Sequence, residues 1–296
     1  MGYAYMLVVL SAWTAIAFVY RWAERTQANR FLMTAAMGLA GTFWILLYAL
    51  WAGIDFRGAH ASQVILGCGL GLTVIWSIPV FLAAVARGDL SITWTVLTLS
   101  FALASLMVTI YPGERPTATG VAGLLLAVGA VTLLGFDMAE RHRAPGPGKP
   151  RKGWGLFMSL SFLSNALSLY AYSLAAELQP DNAPVHKLTF LLTTYVVYGI
   201  GSLLLGFLVR RPGSVKAAFL TGSVAGTLLL TGGLFTLEAL TVGNVPGYVL
   251  YPITSGGSNV VVVVLSVILL KERPGRFGWT GIVVGLAALV LLGLSA

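Results

Sequence analysis

The sequence predicts an all-α membrane protein of ten transmembrane helices, built as two inverted repeats of five. Three observations carry that expectation: an apolar composition, a repeat written in the residues, and a one-sided distribution of basic side chains. Of the 296 residues, 57% are hydrophobic and 9% charged, and the mean hydropathy is +0.87. Soluble domains carry about 25% charged residues. So few charges cannot coat a water-facing surface of this size, which makes lipid the solvent for most of the chain. The net charge of +8 comes from 18 Lys and Arg against 10 acids. Its basic residues fall almost wholly between apolar runs, which fits orientation in a membrane better than binding of nucleic acid.

The repeat is local and in register. Glu114-Arg115-Pro116 is followed by Gly120, Gly123 and Gly135; Glu272-Arg273-Pro274 is followed by Gly278, Gly281 and Gly293, each 158 positions on. Upstream, Ala86-Arg87-Gly88-Asp89-Leu90 is echoed by Thr241-Val242-Gly243-Asn244-Val245 at an offset of 155. A short insertion or deletion separates the two echoes. Internal repeats in a strongly apolar chain are a mark of transporters.

A membrane helix takes about 20 mostly apolar residues. Cutting the chain at charged or Pro/Gly-rich points leaves ten such segments, at 2–20, 31–53, 62–85, 90–111, 117–137, 153–176, 185–209, 216–239, 246–270 and 276–295. Barrel strands would alternate in polarity over about ten residues, and segments such as 260–270 and 281–294 do not. The longest polar insert, Glu140 to Lys152 with Pro145-Gly146-Pro147-Gly148, separates the copies. The expected organisation is a first repeat at 1–139, a linker at 140–152 and a second repeat at 153–296. Met1 to Tyr20 has no basic leader and is long enough to span, so no cleavable signal is expected. Cys68 is the only cysteine, which excludes an intrachain disulfide or a thiolate metal cluster.

Loops after the odd-numbered segments hold 15 of the 18 basic residues; the opposite side holds only Arg57, Arg115 and Lys187. The richer side is expected in the cytoplasm. Ten spans then leave both termini in the periplasm. With five spans in each copy, the copies lie upside down relative to each other, an arrangement used for alternating access.

Ten helices, a five-plus-five inverted repeat and a Glu-Arg turn before the last helix of each half resemble the drug/metabolite transporter superfamily, EamA branch. The resemblance covers the whole chain and is clearest at the turns of Glu114 and Glu272. Within the branch, the aromatic-rich composition is most similar to YddG-type exporters of aromatic amino acids and methyl viologen. The resemblance implies a basket of eight helices around a central cavity, with the fifth and tenth peripheral. It also implies export of amino acids and related metabolites across a bacterial inner membrane.

The chemistry-bearing residues point the same way. His60, His142 and His186 lie in or beside loops, and no zinc-binding His-Glu-x-x-His motif occurs. Thr254-Ser255-Gly256-Gly257-Ser258 would need a base to act as a serine nucleophile; no histidine follows it, and its glycines loosen a helix or admit close packing equally well. An enzyme is therefore not expected, nor a cofactor, metal or nucleic-acid partner. Ionisable groups deep in a membrane are usually functional. Here the acids Asp137, Glu177 and Glu238 fall near span ends, and the first segment holds none. That departs from the small multidrug antiporters of the same superfamily, which use a glutamate in the first helix.

What remains at mid-depth is neutral. Candidate substrate contacts are Trp13, Trp76, Ser77, Asn165, Ser168, Tyr195, Tyr198 and Asn259. Aromatic faces hold apolar groups and attract ammonium ions, and Asn and Ser bond a carboxylate without a buried charge. Each has a plainer role open to it: packing or an interfacial belt for the tryptophans, helix–helix hydrogen bonds for Asn165 and Asn259. Trp51, Trp154 and Trp279 sit at span ends, as belt residues do. Pro79, Pro246 and Pro252 are expected to break or kink their helices. Pro79, Pro252, Gly256 and Gly257 could serve as a gate hinge or as a static kink. Gly123/Ala127 and Gly281/Gly285 form small-residue faces for packing the fifth and tenth spans.

The expected function is a secondary transporter, acting as a monomer, that exports neutral amino acids and related small molecules through an aromatic and polar cavity. Binding is expected near the midplane, between the halves. The rivals are a proton-coupled exporter of organic cations using Glu238, an intramembrane enzyme, and a receptor or scaffold. The last would need larger loops.

Overall fold

In a membrane each backbone N–H and C=O must find its partner within the chain, and a helix does this without help from neighbours. The computed structural model describes residues 1–87, 90–143, 153–179, 181–209, 212–270 and 275–294. Helices occupy every segment expected to be apolar: α1 (Gly2–Arg25), α2 (Arg30–Ala52), α3 (Ala61–Val85), α4 (Leu90–Thr98), α5 (Ser100–Ile110), α6 (Ala118–Arg143), α7 (Trp154–Glu177), α8 (Pro184–Val209), α9 (Val215–Thr241), α10 (Gly247–Tyr251), α11 (Gly257–Leu270) and α12 (Arg276–Gly293). Among the described residues no strand forms beyond one isolated bridge, Ala28 to Ser214. The turn at 272–274, the Gly88-Asp89 pair and most of the linker, 144–152, lie outside the described residues.

Seven helical stretches among the described residues are long and apolar enough to cross a bilayer: α1, α2, α3, Thr93–Ile110, Ala118–Asp137, α8 and α9. They carry many large apolar side chains on the surface, among them Leu50, Leu125, Phe207 and Leu208. Exposed apolar surface on this scale suits lipid and not water. Together these features point to a multi-pass membrane protein. α6 runs past the expected end at 137 to Arg143, because Ala, Glu and Arg there are good helix formers. α3 runs unbroken through Pro79. Pro246 stands before α10 as its cap residue, a place where its lost N–H costs nothing.

The chain packs as two compact units, each drawing on both halves of the sequence. The first contains Met1–Leu82 and Ala171–Gly243. Its helices approach closely where glycines replace side chains. A Cβ at Gly67 would stand 2.6 Å from the Phe190 carbonyl oxygen, and one at Gly71 2.9 Å from that of Thr194. Gly222 and Gly226 of α9, 155 positions after Gly67 and Gly71, meet the Met33 and Met37 carbonyls of α2 in the same way. Met33 and Met37 in turn precede Phe190 and Thr194 by 157 positions. Gly41 is the notch that admits the ring of Tyr195. At one end two loops are stitched together. Ser214 N donates to Gln27 O (2.8 Å) and Asn29 N to Ser214 O (3.4 Å). Asn29 and Ser214 also cap α2 and α9, accepting from Leu32 N (3.1 Å) and Ala217 N (3.2 Å).

The second unit contains Ala83–Tyr170 and Asn244–Ala296. α6 and α12 pack face to face. A Cβ at Gly123 would meet Leu292 at 2.8 Å, and one at Gly285 would meet Val260 at 2.9 Å and Ala130 at 3.5 Å. This is the packing expected of the small-residue faces. α10, a π turn (Pro252–Gly256) and α11 form one rod. It runs antiparallel to α4–α5: Asn259 meets Thr95, Gly256 meets Phe101, and Gly247 meets Glu114.

Glu114 explains its own turn. Its two carboxylate oxygens accept from Gly247 N (2.8 Å) and Tyr248 N (3.0 Å). These are orphan donors at the start of α10, which has no side-chain cap of its own. Charged acceptors make the stronger hydrogen bonds. Glu114→Ala should lower stability by about 2 kcal/mol, with Glu114→Gln intermediate, read as thermal melting of the detergent-solubilised protein.

Candidate functional site

Polar side chains inside a membrane bundle either satisfy their own helix or face something else. In the second unit they line a seam between α4–α5, α7 and the α10–α11 rod. Trp154 Nε1 donates to Thr93 Oγ1 at 3.1 Å, tying α7 to α4, a bond its position at a span end did not reveal. Thr95 Oγ1 donates to Asn259 Oδ1 at 3.4 Å. Asn165 Nδ2 donates to Ser100 Oγ at 2.7 Å, and Tyr251 OH to the Leu169 carbonyl at 2.7 Å. Asn165 and Asn259 thus do make helix–helix bonds. Neither is saturated by them: Asn165 is half-buried, whereas Asn259 is buried with no partner for Nδ2. Ser168, also half-buried, gives its proton to the Ser164 carbonyl (2.8 Å).

One rod of this seam carries a π turn, while the other is only locally irregular at Leu99, which stays in the αR region and whose N–H still donates to the Thr95 carbonyl (3.1 Å). Leu99 separates α4 from α5, and the π turn separates α10 from α11. The π turn begins at Pro252, which has no N–H to continue the α ladder. Thr254 Oγ1 and Ser258 Oγ compensate locally, donating to the carbonyls of Leu250 (2.7 Å) and Ser255 (2.9 Å). Shifting 252–256 back by 155 positions gives 97–101, which spans Leu99. The sequence signals Pro252 directly. Leu99 carries no signal of its own.

In the first unit the two expected tyrosines lie on α8, whereas Trp13 is on α1 and Trp76 on α3. Tyr195 and Tyr198 are fully buried, with ring centroids 5.1 Å apart. Neither hydroxyl makes a hydrogen bond of good geometry, nor does Ser202 one turn beyond. Tyr172 packs edge-on to Phe190 at 5.4 Å. Trp13 lies half-buried against Gly232. Trp76 is 38% exposed and Ser77 half-buried, both on α3. Trp51 and Trp279 are exposed, as belt residues would be.

Lys187 escaped the sequence reading, which counted it among loop cations. It is inside α8, 4% exposed, and its Nζ lies 3.0 Å from Glu238 Oε1 on α9. The signal available was a single cation opening one apolar run and a single acid closing another. Its neighbour His186 is buried too, with Nε2 3.3 Å from Asp181 Oδ1 and Nδ1 accepting from His60 N at 3.4 Å. Among the described residues no cluster of His, Cys, Asp or Glu is arranged to hold a metal ion.

No family model and no curated protein matches the chain. Solved structures do: 28 chains match. One of them, described as "Crystal structure of protein", superposes with a TM-score of 0.72 over 99% of this chain and 96% of its own, at 16% identity. That likeness establishes a shared fold.

Breaking the Lys187–Glu238 pair from one side strands a buried charge; replacing both ends removes it. Glu238→Gln should cost about 3 kcal/mol, and Lys187→Met with Glu238→Leu should recover most of that, as measured by thermal melting of the three variants.

Proposed function

We propose that the chain is a secondary transporter of the drug/metabolite type, with ten membrane-spanning helices in two inverted five-helix repeats. It exports neutral or zwitterionic metabolites, amino acids including aromatic ones, across a bacterial inner membrane. The observation that carries this is the rod with a π turn in the second unit, packed against α4–α5 and lined by uncharged hydroxyl and amide groups. Transporters place discontinuous helices at their binding sites, because freed backbone and side-chain groups there can bond a solute and let it go. Duplication is supported by the recurrence of the α3 and α9 glycine contacts at one offset of 155 positions.

In this proposal the hydroxyls and Asn165 hold the polar end of the solute. The Pro252–Gly257 stretch is the bending element, and no catalytic role is assigned to Ser255 or Ser258, whose neighbours use the same back-bonding. The rival with a specific anchor is the proton-coupled exporter built on Glu238. The engagement of Glu238 by Lys187 argues for a structural ion pair instead.

Labelled tryptophan or threonine should enter proteoliposomes containing only this protein at several times the rate seen in empty vesicles; equal rates would falsify the transport proposal. Alkaline phosphatase fused after Ala296 should be active and a cytosolic reporter at the same place inactive, which checks the periplasmic placement of the termini.

A further inference from the structure

Asn259 stands three residues past the π turn and is 1% exposed. A buried amide N–H without an acceptor costs about 1–3 kcal/mol, so the position needs a reason. The other hydroxyls of these two rods are engaged with backbone carbonyls. Thr98 Oγ1 donates to the Thr95 carbonyl (2.9 Å), Thr254 Oγ1 to that of Leu250 and Ser258 Oγ to that of Ser255. With their protons spent, these oxygens can only accept. Asn259 Oδ1 is held by Thr95, and that leaves Nδ2 as the group able to donate. Of the described charged residues of this unit, Arg87, Glu114 and Arg276 lie at helix ends or in loops, while Asp137 is buried inside α6, its Oδ2 accepting from Gly275 N at 3.2 Å.

We propose that Asn259 is a specificity-determining residue that reads a hydrogen-bond-accepting anionic group, the carboxylate of the transported solute. This deepens the transport reading and rests on it. The seam is then two-sided. Spent hydroxyls offer lone pairs to an ammonium, and the amide offers N–H to a carboxylate, with no titrating residue at either pole. A hydrogen bond to a charged acceptor outweighs a neutral one, so removing the donor should penalise solutes that carry the carboxylate and spare those that do not.

The test is uptake of three labelled solutes sharing one ring: phenylalanine, phenethylamine and 3-phenylpropanoate. Wild type, Asn259→Leu and Thr95→Val are each reconstituted alone. Asn259→Leu should lower uptake of phenylalanine and 3-phenylpropanoate about tenfold or more and leave phenethylamine within about twofold. Thr95→Val, which keeps Nδ2, should preserve the wild-type order of the three. Asn259→Ala, which removes the donor without adding bulk, gives the same ratio should the leucine variant not reach the membrane. An equal fall across all three solutes overturns the proposal, as does a fall confined to phenethylamine, which would mean that the amide presents its oxygen. If wild type moves none of the three, the transport reading itself fails, and this inference fails with it.

Discussion

The chain lives in a solvent that offers no hydrogen bonds. That constraint makes every apolar segment a helix, because only a helix settles its backbone accounts within the segment. It also makes each departure from helix informative. A break exposes carbonyls and N–H groups that lipid cannot satisfy, so it persists only where other groups attend to it. At the π turn the attendants are Thr254 and Ser258. At the start of α10 it is a carboxylate from another loop, Glu114. The regular parts of the fold follow from the solvent, and the irregular parts reveal where the sequence spends its few polar side chains.

The same solvent explains why glycine is the principal packing residue. Lipid tails are as apolar as leucine, so helices gain little from merely hiding apolar surface from each other. Close contact and dispersion must do the work. Gly67, Gly71, Gly222 and Gly226 let backbones meet at the distance of a missing side chain. Small residues here set how closely the helices pack, and the π turn is where the helical scaffold departs from regularity.

Much of the fold was legible in the residues. Segment boundaries read from apolar runs fall within a few residues of the helices, because helix ends in membranes are set by charge and by Pro or Gly. α6 overran its estimate, since helix-forming charged residues let a helix continue into water. The compact units were not legible. Each takes helices from both halves, as the meeting of α2 with α8 and of α6 with α12 requires, and linear order carries no trace of that. In the site, Asn165 and Asn259 stood out as amides in apolar runs. Their partners Ser100 and Thr95 did not, because serine and threonine in membrane helices usually bond their own backbone. Lys187 was hidden by a different logic: counting cations to orient the chain treats each as surface, and a charge that turns inward to meet an acid is miscounted.

The tether at Glu114 has a mechanical corollary. It fixes the rod at one extremity, and the π turn follows only five residues later, about 7 Å along the axis. Beyond the turn α11 extends for 14 residues, about 21 Å. The joint therefore divides a short anchored stub from a longer arm. Tilting the arm by ~10° about that pivot sweeps its tip through ~4 Å, more than the diameter of a water molecule, for a local change that a couple of backbone torsions can absorb.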